Sequence, residues 1–314
     1  YEPALQAHML QMEAMILKLN LREKVKEFKA ISSQIEMLDK HICKLHRFLD
    51  MWSEENWVMN VVPATGKSLR KFEFKPVDVS PYSEELLFKF GKRVLMMSAT
   101  IVNKDVFCQT LGIDKDDVEF LSMDSPFPVD NRPIYYAPVG NMAQSTIDES
   151  LPKLVEMIKV ILDQHKNEKG ICHTHTFRIA NYIKNNLKSR RLLVHDSLNR
   201  EETIEKHMSS DKATVLVSPS LSEGIDLKDG LRRFQIICKI PYPYLGDKLV
   251  KKRMDKHQLW YPYQTAKTIV QSAGRSVRND KDHAVTYILD GNWERFYAQN
   301  SNMFPDSFRK ALKK

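Results

Sequence analysis

The sequence predicts an α/β protein with a mainly parallel sheet, preceded by a long helical segment. From Ala4 to Trp52 the chain holds no glycine or proline, and its apolar residues recur at helical spacing. A proline-rich stretch around Ser125-Pro126-Phe127-Pro128-Val129, followed by Arg132-Pro133-Ile134-Tyr135-Tyr136-Ala137-Pro138, then reads as a linker and a domain boundary. Beyond it, short apolar runs alternate with amphipathic stretches of helical period, the pattern of parallel strands joined by covering helices. These observations divide the chain into a helical segment (1–56), a β-hairpin with a returning segment (57–125) and an α/β domain (126–314).

Within the first segment Ile31, Ile35, Leu38, Ile42, Leu45, Leu49 and Trp52 alternate steps of four and three, a seam for lengthwise packing on a second helix. Residues 4–20 are the expected antiparallel partner, turning near Asn20. Two alternating runs come next, Trp57–Val62 and Phe72–Val77, and predict a hairpin. Its tip, Ala64-Thr65-Gly66-Lys67-Ser68, imitates a phosphate-binding loop. Val61 stands where such a loop needs glycine, and residues 69–74 after Ser68 alternate like a strand instead of opening a helix. Arg93–Met97 reads as a short buried strand ending in Ser98-Ala99-Thr100. After the linker come a helix capped near Ser150, a strand over 170–176, a helix over 177–187 and a strand over 192–195. A helix over 200–208 and strands over 214–217, 235–240 and 283–289 complete the series, with two helical segments before the last strand.

With 314 residues the chain is long enough for two domains and a sizeable core. A formal net charge of +8 favours an acidic or phosphate-bearing partner, although each basic cluster (Lys251-Lys252-Arg253, Arg190-Arg191, and the C-terminal lysines) taken singly suits a solvated face. No apolar run reaches membrane-spanning length, so no membrane partner is expected. Cys43, Cys108, Cys172 and Cys238 are scattered, which predicts buried thiols in a reducing compartment and no disulfide framework or metal cluster. His173 and His175 share one face of a strand, but no third ligand stands at a recognisable spacing. The chain opens on Tyr1, so we expect the polypeptide to continue upstream.

Near the C-terminus lies Gln271-Ser272-Ala273-Gly274-Arg275-Ser276-Val277-Arg278. A helix over 263–278 would carry Gln271, Gly274, Arg275 and Arg278 along one face. The glycine would admit a phosphate or backbone closely, and the arginines would neutralise spread anionic charge. An isolated G-R-x-x-R also fits a surface helix. Its company is more specific: Ser98-Ala99-Thr100, then Ser222-Glu223-Gly224-Ile225-Asp226, then a strand running into Pro241-Tyr242-Pro243-Tyr244. In this order the set resembles the C-terminal motor half of superfamily 2 helicases, and among them the XPD/DinG branch, over about Arg93 to Asp290.

That resemblance implies a RecA-like motor domain 2 over 126–314, the tail of motor domain 1 over 57–125 and the end of a helical arch over 1–56. It implies Arg275 and Arg278 as arginine fingers, Gln271 either orienting the hydrolytic water or coupling the nucleotide to motion, and Gly224, Asp226 and Gly274 at the nucleotide. Thr176, Ser218, Ser220 and Ser222 would meet nucleic-acid phosphates, and Ser98 and Thr100 would couple the two lobes. In place of the aromatic run usual before Thr176, histidines stand here. The expected ligands are ATP with Mg2+, held mainly by the upstream motor domain 1, and single-stranded DNA, translocated 5′→3′ in the cytoplasm or a nucleus. An iron–sulfur cluster would lie upstream, with none in this chain. The sequence has no Walker A and no D-E-A-H, so the chain is expected to complete an ATPase site without constituting one. The rival readings are a non-catalytic binding module on the same fold and an RNA-directed motor. Trp260 and Tyr261 are expected to anchor their helix rather than stack on bases.

Overall fold

A computed structural model describes residues 2–18, 25–64, 68–196, 198–220, 229–274, 277 and 282–313. The chain divides into two compact units, Tyr1–Phe90 and Gly91–Lys314.

In the first unit, α1 (Glu2–Leu17) and α2 (Val25–Met51) pack against each other. His46 near the end of α2 is ion-paired with Glu2 at the start of α1, so the helices are antiparallel. The apolar seam holds from Ile31 to Leu45, with Ile42 buried. It then shifts: Phe48 turns inward and Leu49 is left 55% exposed. The cause is aromatic packing, because Phe48 sits 4.8 Å from Phe74 and 5.2 Å from Trp57, ring centre to ring centre. Trp57 and Phe74 belong to the expected hairpin, β1 (Trp57–Val62) antiparallel to β2 (Lys71–Pro76), with Val62 opposite Lys71. Ser68 leads into β2 and not into a helix, so no helix N-terminus comes after the loop-like tip.

The second unit opens with a correction. Residues 93–97 form no strand, and Leu95 and Met97 are 84% and 83% exposed. An apolar run marks surface that favours burial but does not supply the neighbouring strand that would satisfy its backbone. Then α3 (Lys104–Leu111) starts at Asn103, whose Oδ1 accepts from the Val106 amide at 3.0 Å, and stops at Gly112, in the left-handed region at φ 66°.

Just past the expected linker at 125–129, Ile134–Gly140 is β3, a sheet strand that the sequence did not predict, flanked on both sides. Its ladder slips between Tyr136 and Gly140, around Pro138, which has no amide hydrogen to offer. Next come α4 (Ile147–Gln164), β4 (Gly170–His173), α5 (Phe177–Asn186), β5 (Leu192–Val194), α6 (Arg200–Ser209) and β6 (Val215–Ser218). After them run β7 (Phe234–Ile237), α7 (Lys248–Lys256), α8 (Trp260–Gly274), β8 (Val285–Asp290), α9 (Asn292–Asn300), α10 (Asp306–Ala311) and β9 (Leu312–Lys313). α4 begins one turn before Ser150, because the Ser150 hydroxyl donates to Asn141 O at 2.9 Å instead of capping. The strands expected over 170–176 and 235–240 end at His173 and Ile237. The helix expected to reach residue 278 is broken before Val277, which is buried and non-helical.

The sheet order is β5-β6-β4-β7-β8-β3-β9, and every pair is parallel. Period-two alternation assigns its two faces. Val215, Val217 and Ile236 pack with Leu154, Ile158, Ile179 and Ile183 of α4 and α5. Ile237, Ile134 and Ile288 pack with Ala266, Ile269, Trp293 and Phe308 of α8, α9 and α10. A parallel sheet covered on both faces leaves the carboxyl ends of its strands as the edge where ligands bind.

Candidate nucleotide and nucleic-acid interface

That edge is tied together by side chains. Asp290, at the end of β8 and almost wholly buried, accepts through Oδ1 from the Met142 amide (3.0 Å) and the Asn292 amide (3.0 Å). Its Oδ2 accepts from the Ile240 amide at 2.9 Å, so one carboxylate joins the loops after β3, β7 and β8. Lys239 Nζ donates to Met142 O at 2.7 Å beside it. Burial lowers the Lys239 pKa, and the charge of Asp290 opposes that shift. Sequence reasoning missed Asp290; the available signal was a carboxylate ending a strongly apolar strand, Tyr287-Ile288-Leu289-Asp290.

The loop after β4 is built on a strained residue. His175 adopts φ 60°, uncommon for a side chain of its size. Its Nε2 lies 2.9 Å from Tyr242 O; a carbonyl only accepts, so Nε2 carries the proton. Burial pushes the His175 pKa down, keeping the ring neutral. With Nε2 committed, that atom is not free to join His173 at a metal. Thr176 is the N-cap of α5, its Oγ1 accepting from the Ile179 amide at 3.3 Å. The hydroxyl proton remains to donate, so capping and a phosphate contact are compatible.

Ser218 behaves differently. It is fully buried at the end of β6, with Oγ 2.5 Å from His195 Nε2. His195 Nδ1 donates to Asp196 O at 2.8 Å, so Nε2 accepts the Ser218 proton. Ser218 Oγ in turn accepts from the Ser220 amide at 3.2 Å. The Ser218 hydroxyl therefore orients the loop instead of facing a ligand, whereas Ser220 is exposed. Ser222, Gly224 and Asp226 lie outside the described residues.

The third group joins residues far apart in sequence. Gln271 Nε2 donates to Thr100 Oγ1 at 3.0 Å, and Tyr263 OH donates to Ile101 O at 2.8 Å. The Thr100 amide donates to Ser98 Oγ at 3.2 Å, closing the turn. Among the described residues Gln271 Oε1 is buried without a hydrogen-bond partner, an acceptor of the kind that a bound water or ligand satisfies. No atom of the described residues stands within 4 Å of a Cβ placed on Gly274. Arg275 and Arg278 lie outside the described residues. Trp260 is buried, and Tyr261 stacks on Tyr242 at 5.9 Å; both anchor α8, as expected.

An open parallel sheet with helices on both faces, and polar loops gathered along its carboxyl edge, defines the class: a RecA-like motor domain. Residues 163–311 match the family model of the helicase C-terminal domain. The chain is 24% identical over 229 residues to the ATP-dependent DNA helicase YoaA of Escherichia coli strain K12, covering 68% of this chain and 35% of that protein. It is 24% identical over 239 residues to the ATP-dependent DNA helicase DinG of Photobacterium profundum, covering 69% and 34%. A probable ATP-dependent helicase of Methanocaldococcus jannaschii is 26% identical over 259 residues, covering 73% and 38%. The chain thus spans about a third of the length of these relatives. A solved XPD helicase structure shares the fold with a TM-score of 0.61 at 19% identity, over 92% of this chain and 54% of that one. A ligand-free XPD structure gives 0.60 at 18% identity, over 91% and 60%. Residues 163–311 thus match a helicase C-terminal domain, and the chain is similar to the C-terminal portion of XPD/DinG-like helicases.

Proposed function

We propose that this chain is the C-terminal motor half of an ATP-dependent DNA helicase, acting with an upstream motor domain 1 that holds most of the nucleotide and its Mg2+. The observation that carries the reading is the hydrogen bond from Gln271 to Thr100, 171 positions apart in sequence. It joins two segments that resemble separate helicase motifs, beside the bond from Tyr263 to Ile101 and the shared core of α3 and α8. Residues 1–56 and 57–125 are, on this reading, the end of an arch and the returning tail of motor domain 1.

ATP supplies the phosphoryl group that is transferred to water, and the two lobes open and close around it. Arg275 and Arg278 neutralise charge on the transferring phosphate, and Gln271 holds a water through its unengaged Oε1. Gly224, Asp226 and Gly274 shape the nucleotide side of the cleft. Thr176 and Ser220 donate to the phosphates of single-stranded DNA together with Ser222, while Ser218 positions their loop. Thr100, held by Ser98, passes the state of the nucleotide between lobes. Translocation runs 5′→3′, in the cytoplasm or a nucleus, wherever the DNA is.

The test is single-strand-stimulated ATP hydrolysis by the natural polypeptide that carries these residues. Arg275→Ala should lower kcat by about 10³-fold. This chain alone should show no turnover. Unchanged hydrolysis in the variant would favour the non-catalytic module, and stimulation by RNA but not DNA would favour the RNA-directed motor.

A further inference from the structure

The loop after β7 and the helix α7 carry exposed side chains that have been given no role above. Tyr244 is 79% exposed. A Cβ built on Gly246 would collide with the Tyr244 ring, so the ring lies over a position that only glycine leaves open. The Asp247 amide donates to Tyr244 O at 3.1 Å, and Asp247 Oδ1 accepts from the Leu249 amide at 2.7 Å, starting α7 directly behind the ring. The segment is pinned on two sides. Tyr242 O accepts from His175, in the loop that carries Thr176, and Pro243 O accepts from the Tyr261 hydroxyl of α8 at 3.1 Å. A large ring left exposed on a segment whose backbone is pinned on both sides is an unusual use of an aromatic side chain.

α7 adds charge beside it. Leu249, Val250 and Met254 face inward, and the Arg253 guanidinium sits 5.7 Å over the Trp260 ring, fastening α7 to the start of α8. Lys248, Lys251 and Lys252 are exposed on the other side. They are one turn apart or adjacent across it, a stripe about 6 Å long on the helix. None of the three ammonium groups meets a carboxylate among the described residues.

We infer that Tyr244 and the Lys248–Lys251–Lys252 stripe form a platform for single-stranded nucleic acid, with a base stacked on the ring and backbone phosphates along the lysines. The inference rests on the reading of this unit as a nucleic-acid motor and extends its track beyond Thr176. Unpaired positive charge in a row selects a polyanion. The exposed ring selects an unstacked base, which a duplex hides and an acidic peptide lacks.

The test is fluorescence anisotropy of labelled oligo(dT) with the 314-residue chain, titrated at several salt concentrations. Tyr244→Ala should weaken binding about ten-fold, and Tyr244→Phe, which keeps the ring, should restore it. The triple change Lys248→Gln, Lys251→Gln, Lys252→Gln should lower the slope of log affinity against log salt by about 2. Circular dichroism checks that each variant is folded. If both sets bind as wild type while Thr176→Val binds more weakly, the platform is wrong and the motor reading stands. If the wild-type chain does not bind oligo(dT), both fall. Equal competition by poly-glutamate would reduce the surface to a general anion binder and also overturn the inference.

Discussion

Gly140 is a single position where backbone geometry and packing agree. It takes φ 143°, and an added Cβ would run into the Ser150 hydroxyl that anchors α4 to Asn141. Gly140→Ala should destabilise the chain by roughly 1–3 kcal/mol, read as a lower urea midpoint with unchanged m. His195 and Ser218 illustrate how much a residue's surroundings decide. Both are polar and both end strands, which in sequence suggests ligand contact. The fold buries them against each other at 2.5 Å and so gives them a positioning task. Sequence placed Ser218 within the correct loop but carried no information on which way its hydroxyl turns.

Strands and helices were legible where their period was clear. β4 to β8 and α4 to α6 fall within a few residues of expectation, since an all-parallel sheet reads as apolar runs between amphipathic helices. Two elements were misread for opposite reasons. β3 went unpredicted, since it contains Pro138 beside aromatic residues just past the expected linker, yet β8 and β9 flank it and supply its ladder. Residues 93–97 look like a core strand, yet the described chain provides no neighbour for them. The second misreading is testable: Leu95→Asp with Met97→Asp should shift stability by no more than about 0.5 kcal/mol, as urea unfolding would reveal. A buried strand would lose several times that amount. α8 was found, but Val277, inside the helix expected over 263–278, is buried and non-helical.

On the scale of the whole molecule, half-buried His175 and buried His207 link stability to pH on the acid side. His175 and His207 have pKa values lowered chiefly by burial, against hydrogen bonds to the carbonyls of Tyr242 and Leu231 that act the other way. The unfolded chain protonates them near pH 6.5, while the folded chain resists, so it is the unfolded state that gains protons first. Their contribution to stability is complete above that pH and is lost as pH falls towards the folded values. His207→Gln should flatten the decline in melting temperature between pH 7 and pH 5, measured by calorimetry. An unchanged slope would show that carboxylates dominate acid unfolding.

By itself the sequence determined the class of fold, the order of its elements and the segments that resemble helicase motifs. Those properties reside in local period, in glycine and proline positions, and in short runs of chemistry. Tertiary structure alone decided that Thr100 would meet Gln271, that Asp290 would clamp three loops, and that Ser218 would face His195 rather than solvent. Each depends on which loops and helices the fold brings side by side, and contacts such as those of Thr100 with Gln271 and Met142 with Asp290, well over a hundred positions apart, leave no periodic trace in either segment.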